Sequence, residues 1–379
     1  MKVLFVLTYY RPHWTGLTQY AARLAEGLTD KNYQVEVLCS QHDKNLSKEE
    51  TINKVKITRL PYLFKFLRSV ITPGFPIALW DKMKKNDRVI VYLPLQEVAL
   101  VALFAKLQKK KLFLVHNGDL VLPENCGFIC RLIEKIYFWT TTFAIKNCEK
   151  IIIQTEDYAQ NSKLLRKFEN KWEVVLPLYN ISKITEKNIN DFKEKHNLKE
   201  KILIGYSGRF VEEKGIDFLL QTISEVVKKI PSAHFVFAGD YQIRYESYWD
   251  KIKGLIESNK EHITLLGLVR DQKELFAFYK SLSVYVQPSV TDCFPSSQIE
   301  ALLSGVPSVC TDIPGARWAV RQTEMGVIVK PFSSESIAEG LLTILNNKKK
   351  YQLNLDKLKE IFNFQNTLSE YESLFKCKE

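Results

Sequence analysis

The sequence predicts an α/β protein of two doubly wound domains, and three observations carry that prediction. Short β-branched runs alternate with helical patterns through the first half. A polar stretch rich in lysine and asparagine, residues 181–200, interrupts them, and the alternation then starts again. A chain of 379 residues also exceeds what one hydrophobic core usually organises.

The first domain, residues 1–180, is expected to hold strands at 3–7, 35–38, 55–60, 89–92, 112–115, 151–154 and 174–176. Between the first two, Ala21, Leu24, Ala25 and Leu28 share one face of a helix over 18–28. Short apolar strands separated by helices indicate a parallel sheet covered on both sides. Residues 181–200 read as a linker plus a surface helix. The second domain, residues 201–360, is expected to hold strands at 202–206, 234–238, 263–266, 284–286, 308–310 and 327–329. Its helices are expected at 215–229, 272–282, 296–304 and 334–346. Residues 361–379 read as a C-terminal helix, with a return to the first domain left open. Two such units imply a cleft between them, because ligands bind at the carboxyl ends of parallel strands.

Composition narrows the class. Hydrophobic residues at 46% and charged residues at 26% are ordinary for a soluble globular protein. Seven scattered cysteines suit reduced, buried thiols and a cytoplasmic location. Cys126 and Cys130 sit four apart, but no Cys/His pair completes a zinc set. The opening apolar run is too short for a signal peptide's core, and nothing approaches the ~18 uncharged apolar residues of a spanning helix. The net charge of +11 is uneven: residues 1–180 carry 27 Lys and Arg against 17 Asp and Glu. That excess suits an anionic membrane surface, an acidic substrate or nucleic acid, or solvated lysines alone. No nucleic-acid-binding motif is present, which removes nucleic acid as a partner.

The residues with most chemical content lie in the second half. The strand at 202–206 runs into Ser207, Gly208 and Arg209, and Lys214-Gly215 precedes the next helix. Arg209 and Lys214 would sit beside a helix amino terminus, where two fixed cations and the helix dipole together suit a diphosphate. A second cluster follows the strand at 284–286. Asp292 lies in the loop, Phe294, Pro295, Ser296 and Ser297 lead into a helix, and Glu300 stands one turn in. Free amides at such a helix start suit phosphates, Glu300 suits a ribose diol, and Asp292 suits the hydroxyls of a sugar. On the residues alone, Asp292 as a turn cap and Glu300 as plain helix patterning remain open.

These elements resemble glycosyltransferase family 4, the large retaining group with the GT-B fold of two Rossmann-like domains. The resemblance rests on Gly208-Arg209 with Lys214-Gly215, on Asp292 through Glu300, and on Ala301, Gly305, Pro307 and Pro314-Gly315. It spans most of the chain. In one place the chain departs from the family: the first acidic position is usually glutamate, and here it is Asp292, whose carboxylate is withdrawn by about 1.5 Å. The resemblance implies a nucleoside-diphosphate sugar as donor, a glycan or lipid-linked acceptor, and retention of anomeric configuration. It also implies that the family's glycine-rich loop falls at Thr15-Gly16, with Gly16 near the donor phosphate and Thr15 toward the acceptor. His116, at the end of the strand at 112–115, corresponds to the histidine that approaches the transferred sugar. Asp119 either orients His116 or touches the acceptor. Base contacts are expected near Leu268.

No Asp-x-Asp element follows a strand and no His/Asp/Glu cluster suggests a divalent ion, so no metal and no cofactor beyond the nucleotide-sugar co-substrate are expected. Pro61–Trp80 is apolar and aromatic, with Lys65 and Arg68 inside it and Lys82, Lys84 and Lys85 after it. Two readings stand for it: a peripheral contact with the inner face of the cytoplasmic membrane, or a core helix with snorkelling lysines. The activity expected is transfer of a hexose-type sugar to an envelope polysaccharide, glycolipid or lipid-linked oligosaccharide, as in lipopolysaccharide biosynthesis. The alternatives are a nucleotide-sugar epimerase of the same fold and a catalytically degenerate nucleotide-sugar-binding protein.

Overall fold

A computed structural model describes residues 1–66, 69–120, 127–241, 243, 248–351 and 354–376. The chain divides into two compact units, Met1–Leu178 with Phe364–Glu379, and Tyr179–Asn363.

Among the described residues, unit one is built on ten strands. They are β1 (Lys2–Val6), β2 (Gln34–Ser40), β3 (Glu49–Ile52), β4 (Val55–Leu60), β5 (Phe64–Phe66), β6 (Ser69–Ile71), β7 (Arg88–Leu93), β8 (Lys111–His116), β9 (Lys150–Ile153) and β10 (Trp172–Val174). Eight form one sheet in the order β10-β9-β8-β7-β1-β2-β4-β3, while β5 and β6 make a separate hairpin. Only β3 runs antiparallel in the large sheet. Side chains of a strand alternate between faces, so Val3 and Phe5 enter one core and Leu4 and Val6 the other. The first core is covered by the helix Gly16–Asp30 and the C-terminal helix Phe364–Lys376. The second is covered by the helices Phe75–Lys85, Val98–Leu107 and Gly127–Asn147.

Unit two continues with β11 (Ile202–Ser207), β12 (Ala233–Ala238), β13 (Ile263–Gly267), β14 (Val284–Gln287), β15 (Ser308–Thr311) and β16 (Gly326–Val329). All six are parallel, in the order β13-β12-β11-β14-β15-β16. In each unit the strand order reverses once, at β1/β7 and at β11/β14. Such a reversal sends the two connections to opposite faces of the sheet, and ligands of open α/β sheets bind outside the strands' carboxyl ends there.

Several elements differ from the sequence expectation. The last strand of unit one is Trp172–Val174, not 174–176, because Trp172, Glu173 and Val174 pair with Ile151, Ile152 and Ile153. The polar strand β3 was not expected; Asn53 and Lys54, both at positive φ, supply the tight hairpin turn that pairs it with β4. The helix expected over 215–229 is two, Ile216–Gln221 and Ile223–Lys229, with the buried Thr222 hydroxyl bonded back to the Leu219 carbonyl between them. Within 181–200, the helix Glu186–Lys195 is part of unit two. It packs on the helix Gln272–Ser281 through Phe192 and Phe278, whose rings are 6.2 Å apart, and through a 2.6 Å pair of Lys195 with Glu274. Pro61–Trp80 is not one core helix: it holds the β5–β6 hairpin and the start of the helix Phe75–Lys85, with Leu63, Phe64, Ile71 and Ile77 exposed. Cys39, Cys148, Cys293 and Cys310 are buried free thiols. No helix among the described residues is long and apolar enough to cross a membrane.

Candidate active site

The reversal between β11 and β14 places two loops together, Gly208–Gly215 after the first strand and Pro288–Pro295 after the second. Their packing explains two of the glycines. Gly215 has a φ of 60°, and a Cβ there would stand 2.3 Å from the Pro288 carbonyl oxygen. Gly315 opens the helix after β15, and its Cβ would meet the Asp292 and Cys293 carbonyls at 2.1 and 2.4 Å. Backbone bonds complete the union: the amides of Val290 and Thr291 both donate to the Glu213 carbonyl, at 3.0 and 3.4 Å.

This union brings the predicted residues of unit two into one place. Lys214 Nζ lies 2.5 Å from Asp292 Oδ2, and both side chains are mostly buried. Gln287 and Ser289, themselves buried, reach the same carboxylate oxygen at 3.4 and 3.5 Å. Arg209 is more open and pairs with Glu213 at 3.5 Å. Gly208 sets the turn out of β11, its amide bonded to the Ala238 carbonyl.

The helix Ser296–Leu303 follows this loop directly, and its N-cap residue, Pro295, supplies no side-chain cap. Ser296 and Ser297 are half-buried there. Ser297 Oγ is 2.8 Å from Tyr285 Oη, which also bonds the Ser207 carbonyl and so ties the helix start to the end of β11. An uncapped helix start beside two cations is a site for an anion. Glu300 is buried and accepts from Tyr279 Oη at 3.2 Å. Burial, with the Glu300 charge beside it, pushes the Tyr279 hydroxyl well above its ordinary pKa and keeps it a donor.

Two other predicted positions are less central. The half-buried Phe294 ring turns into an aromatic group with Trp318 and Phe362, at 5.8 and 6.2 Å. Leu268 is exposed just past β13, where Gly267 accepts from the Gly239 amide at 2.7 Å.

In unit one, His116 ends β8 and is fully buried. Burial lowers its pKa to about 4, so the ring is neutral near pH 7. Asp119 Oδ1 stands 3.3 Å from His116 Nε2 and accepts from Ser162 Oγ at 2.9 Å. Burial raises the Asp119 pKa, with Ser162 opposing. The approach is a proximity without a hydrogen bond, since neither ring nitrogen of His116 has a partner, so both roles of Asp119 stand. Thr15 caps the helix Gly16–Asp30 in a reciprocal box with Thr18, a structural role its sequence position did not show. Gly16 is exposed at the first helical position. The tyrosines Tyr279 and Tyr285 were missed, since a buried strand or helix tyrosine carries no sequence signal beyond core.

Lys82 is corrected: it is paired with Glu36 and mostly buried, which removes it from any membrane-facing set. Lys84 lies over the Trp80 ring at 5.4 Å and Lys85 is exposed. Arg68 and the Lys65 side chain lie outside the described residues. Among the described residues no group of three or more His, Cys, Asp or Glu could hold a metal ion.

Residues 188–357 match the family described as Glycosyl transferases group 1, and residues 14–182 match Glycosyltransferase Family 4. The chain belongs to the group 1, family 4 glycosyltransferases. An uncharacterised glycosyltransferase of Methanocaldococcus jannaschii is 26% identical over 99% of this chain and 98% of its own length. A capsular polysaccharide biosynthesis glycosyltransferase of Staphylococcus aureus is 27% identical over 58% of this chain and 57% of its own. The solved structure of Anabaena HepE in complex with UDP-glucose superposes with a TM-score of 0.79, at 14% identity, covering all of both chains. This glycosyltransferase therefore has the GT-B fold of two Rossmann-like α/β units.

Proposed function

We propose that this glycosyltransferase moves a hexose-type sugar from a nucleoside-diphosphate donor to a cell-envelope polysaccharide, glycolipid or lipid-linked oligosaccharide, with retention and without a catalytic metal. The observation that carries the reading is the convergence of Arg209, Lys214, Asp292 and an uncapped helix start on the β11/β14 reversal. Arg209, Lys214 and the amides of Ser296 and Ser297 neutralise the diphosphate, which is the charge a metal would otherwise meet. Glu300, held by Tyr279, accepts from the ribose hydroxyls, and the loop at Leu268 receives the base. Asp292 addresses the sugar hydroxyls.

In the transfer, the bond from the anomeric carbon to the diphosphate oxygen breaks and a bond to the acceptor oxygen forms. The acceptor's proton passes to the departing phosphate oxygen. His116, neutral, is assigned to the sugar, and Gly16 to the phosphate. The polysaccharide acceptor is supported by the Staphylococcus aureus relative, and a UDP donor by the ligand named with Anabaena HepE. The cytoplasm, at the inner face of the membrane, is the proposed location.

A thermal-shift panel of UDP-, GDP- and ADP-sugars identifies the donor, because binding the folded state raises its apparent stability. NMR of the product's anomeric proton then reads the stereochemistry. An α-linked product from an α-donor, formed in excess EDTA, supports the reading. A β-linked product overturns retention, and EDTA inactivation reversed by magnesium overturns the metal-free step.

A further inference from the structure

The helix Gly127–Asn147 covers one face of the unit-one sheet, and its outward side is unusually apolar. Phe128 is 81% exposed, Leu132 47%, Ile136 53% and Trp139 70%. At 3.6 residues per turn these four fall within an arc of about 80° and make one continuous stripe. Single exposed apolar residues are common, but a contiguous stripe of large ones marks a contact surface.

The neighbouring helices extend it. Val98–Leu107 packs beside the long helix and presents Leu103 and Leu107 outward; Phe75–Lys85 packs beside that and presents Ile77, 73% exposed. Cations border the stripe. Arg131 and Lys135 are exposed on its flank, Lys106 lies between Leu103 and Leu107, and Lys84 and Lys85 end the third helix. Against these stand only Asp81 and Glu134 among the exposed acids of the three helices.

We propose that this three-helix face docks unit one on an anionic membrane surface, with Phe128, Leu132, Ile136 and Trp139 entering the headgroup boundary. Aromatic and aliphatic side chains ringed by lysine and arginine match that partner on both counts, burying apolar area while the cations meet lipid phosphate. The contact is thereby centred on residues 127–147, with Ile77, Lys84 and Lys85 of the segment 61–85 at its edge. It rests on the reading of a membrane-borne acceptor for its purpose, since docking would hold the enzyme where such an acceptor lies.

The test is flotation of the full chain with mixed phosphatidylglycerol–phosphatidylcholine vesicles and with pure phosphatidylcholine vesicles. The parent is expected to float with the mixed vesicles and to be released as salt rises. Phe128→Ser with Trp139→Ser is expected to lower partitioning by roughly tenfold or more. Arg131→Gln with Lys135→Gln is expected to remove much of the salt dependence. Trp139→Phe, which keeps the ring, is expected to bind normally but to lose the part of the fluorescence quenched by brominated lipid. A parent that stays soluble, or a serine double variant that partitions like the parent, overturns the proposal. So does a parent dimer, seen by light scattering, that the serine variant dissociates; the face is then a contact between copies. Donor binding measured on the same preparations separates the two ideas: vesicle binding lost with donor binding intact removes only the docking face, whereas absent donor binding removes the transferase reading.

Discussion

Replacing Lys214 by alanine acts twice, and the two effects can be separated. The ammonium is one of two cations at the helix start, and a charge-assisted hydrogen bond contributes about 1.5–3 kcal/mol. Its loss should lower kcat/KM for the donor by roughly 10- to 150-fold. The same change strands Asp292. Its carboxylate is 11% exposed, and its other polar neighbours, Gln287 and Ser289, stand at 3.4 and 3.5 Å, too far to replace a contact of 2.5 Å. Leaving such a group unsatisfied costs about 1–3 kcal/mol of stability. Lys214→Ala with Asp292→Asn removes the stranded charge, so the double variant should regain most of the lost stability while donor turnover stays low. Steady-state kinetics with the donor, calorimetry with the free nucleoside diphosphate, and thermal unfolding read the three quantities. A Lys214→Ala enzyme with the parent's kcat/KM would refute the phosphate assignment. A double variant that regains activity along with stability would show that the pair serves the fold alone.

Three further outcomes follow from the same geometry. Glu300→Gln should weaken nucleoside diphosphate binding by about tenfold or more, from loss of a charge-assisted acceptor, and calorimetry showing no change would remove the ribose role. His116 has a folded pKa of about 4, below its ordinary 6.5, so the unfolded chain binds the extra proton between those values and the stability is lost as pH falls through that window. The loss should approach roughly 3 kcal/mol by pH 4, and urea unfolding of the parent and of His116→Gln should show a shallower pH slope in the variant. Thr15→Ala should lower stability by about 1 kcal/mol through the lost cap and leave acceptor KM unchanged if the cap is its whole role; a raised acceptor KM with an unchanged melting temperature would show an acceptor contact instead.

The parts of the molecule legible in the sequence are those whose signals are local. Strands such as β11 and β14 are short apolar runs bounded by turn residues, and they lie within a residue or two of where the pattern places them. The loop motifs were legible because glycine at 215 and 315 answers a requirement that no other residue meets, a positive φ at the first and a close backbone approach at both. What escaped depends on contacts distant in sequence. Strand β3 is polar and exists because β4 offers it an edge. Lys82 looks like any surface lysine until Glu36, 46 positions away, is brought beside it. Thr15 fits a loop, an acceptor contact and a helix cap equally well until Thr18 is seen to close the box. The exposed stripe on Gly127–Asn147 depends on distant contacts too, since apolar residues at helical spacing do not show which side of a helix lacks a partner.

The substitution of aspartate for the family's usual glutamate gains a physical sense from the loop union. The loop after β14 is pinned from below by the close approach of Gly315 and from the side by the Glu213 carbonyl, which accepts from Val290 and Thr291. With the backbone drawn in this tightly, the short Asp292 side chain already reaches the Lys214 ammonium, and two neutral donors, Gln287 and Ser289, converge on the same oxygen. One residue thus links the carboxyl ends of β11 and β14, the two strands between which the order of the sheet reverses. The cation proposed for the diphosphate and the carboxylate proposed for the sugar therefore hold each other in place. Neither can be moved without moving the other, so changes that aim at sugar specificity through position 292 will also be read in how the enzyme grips phosphate.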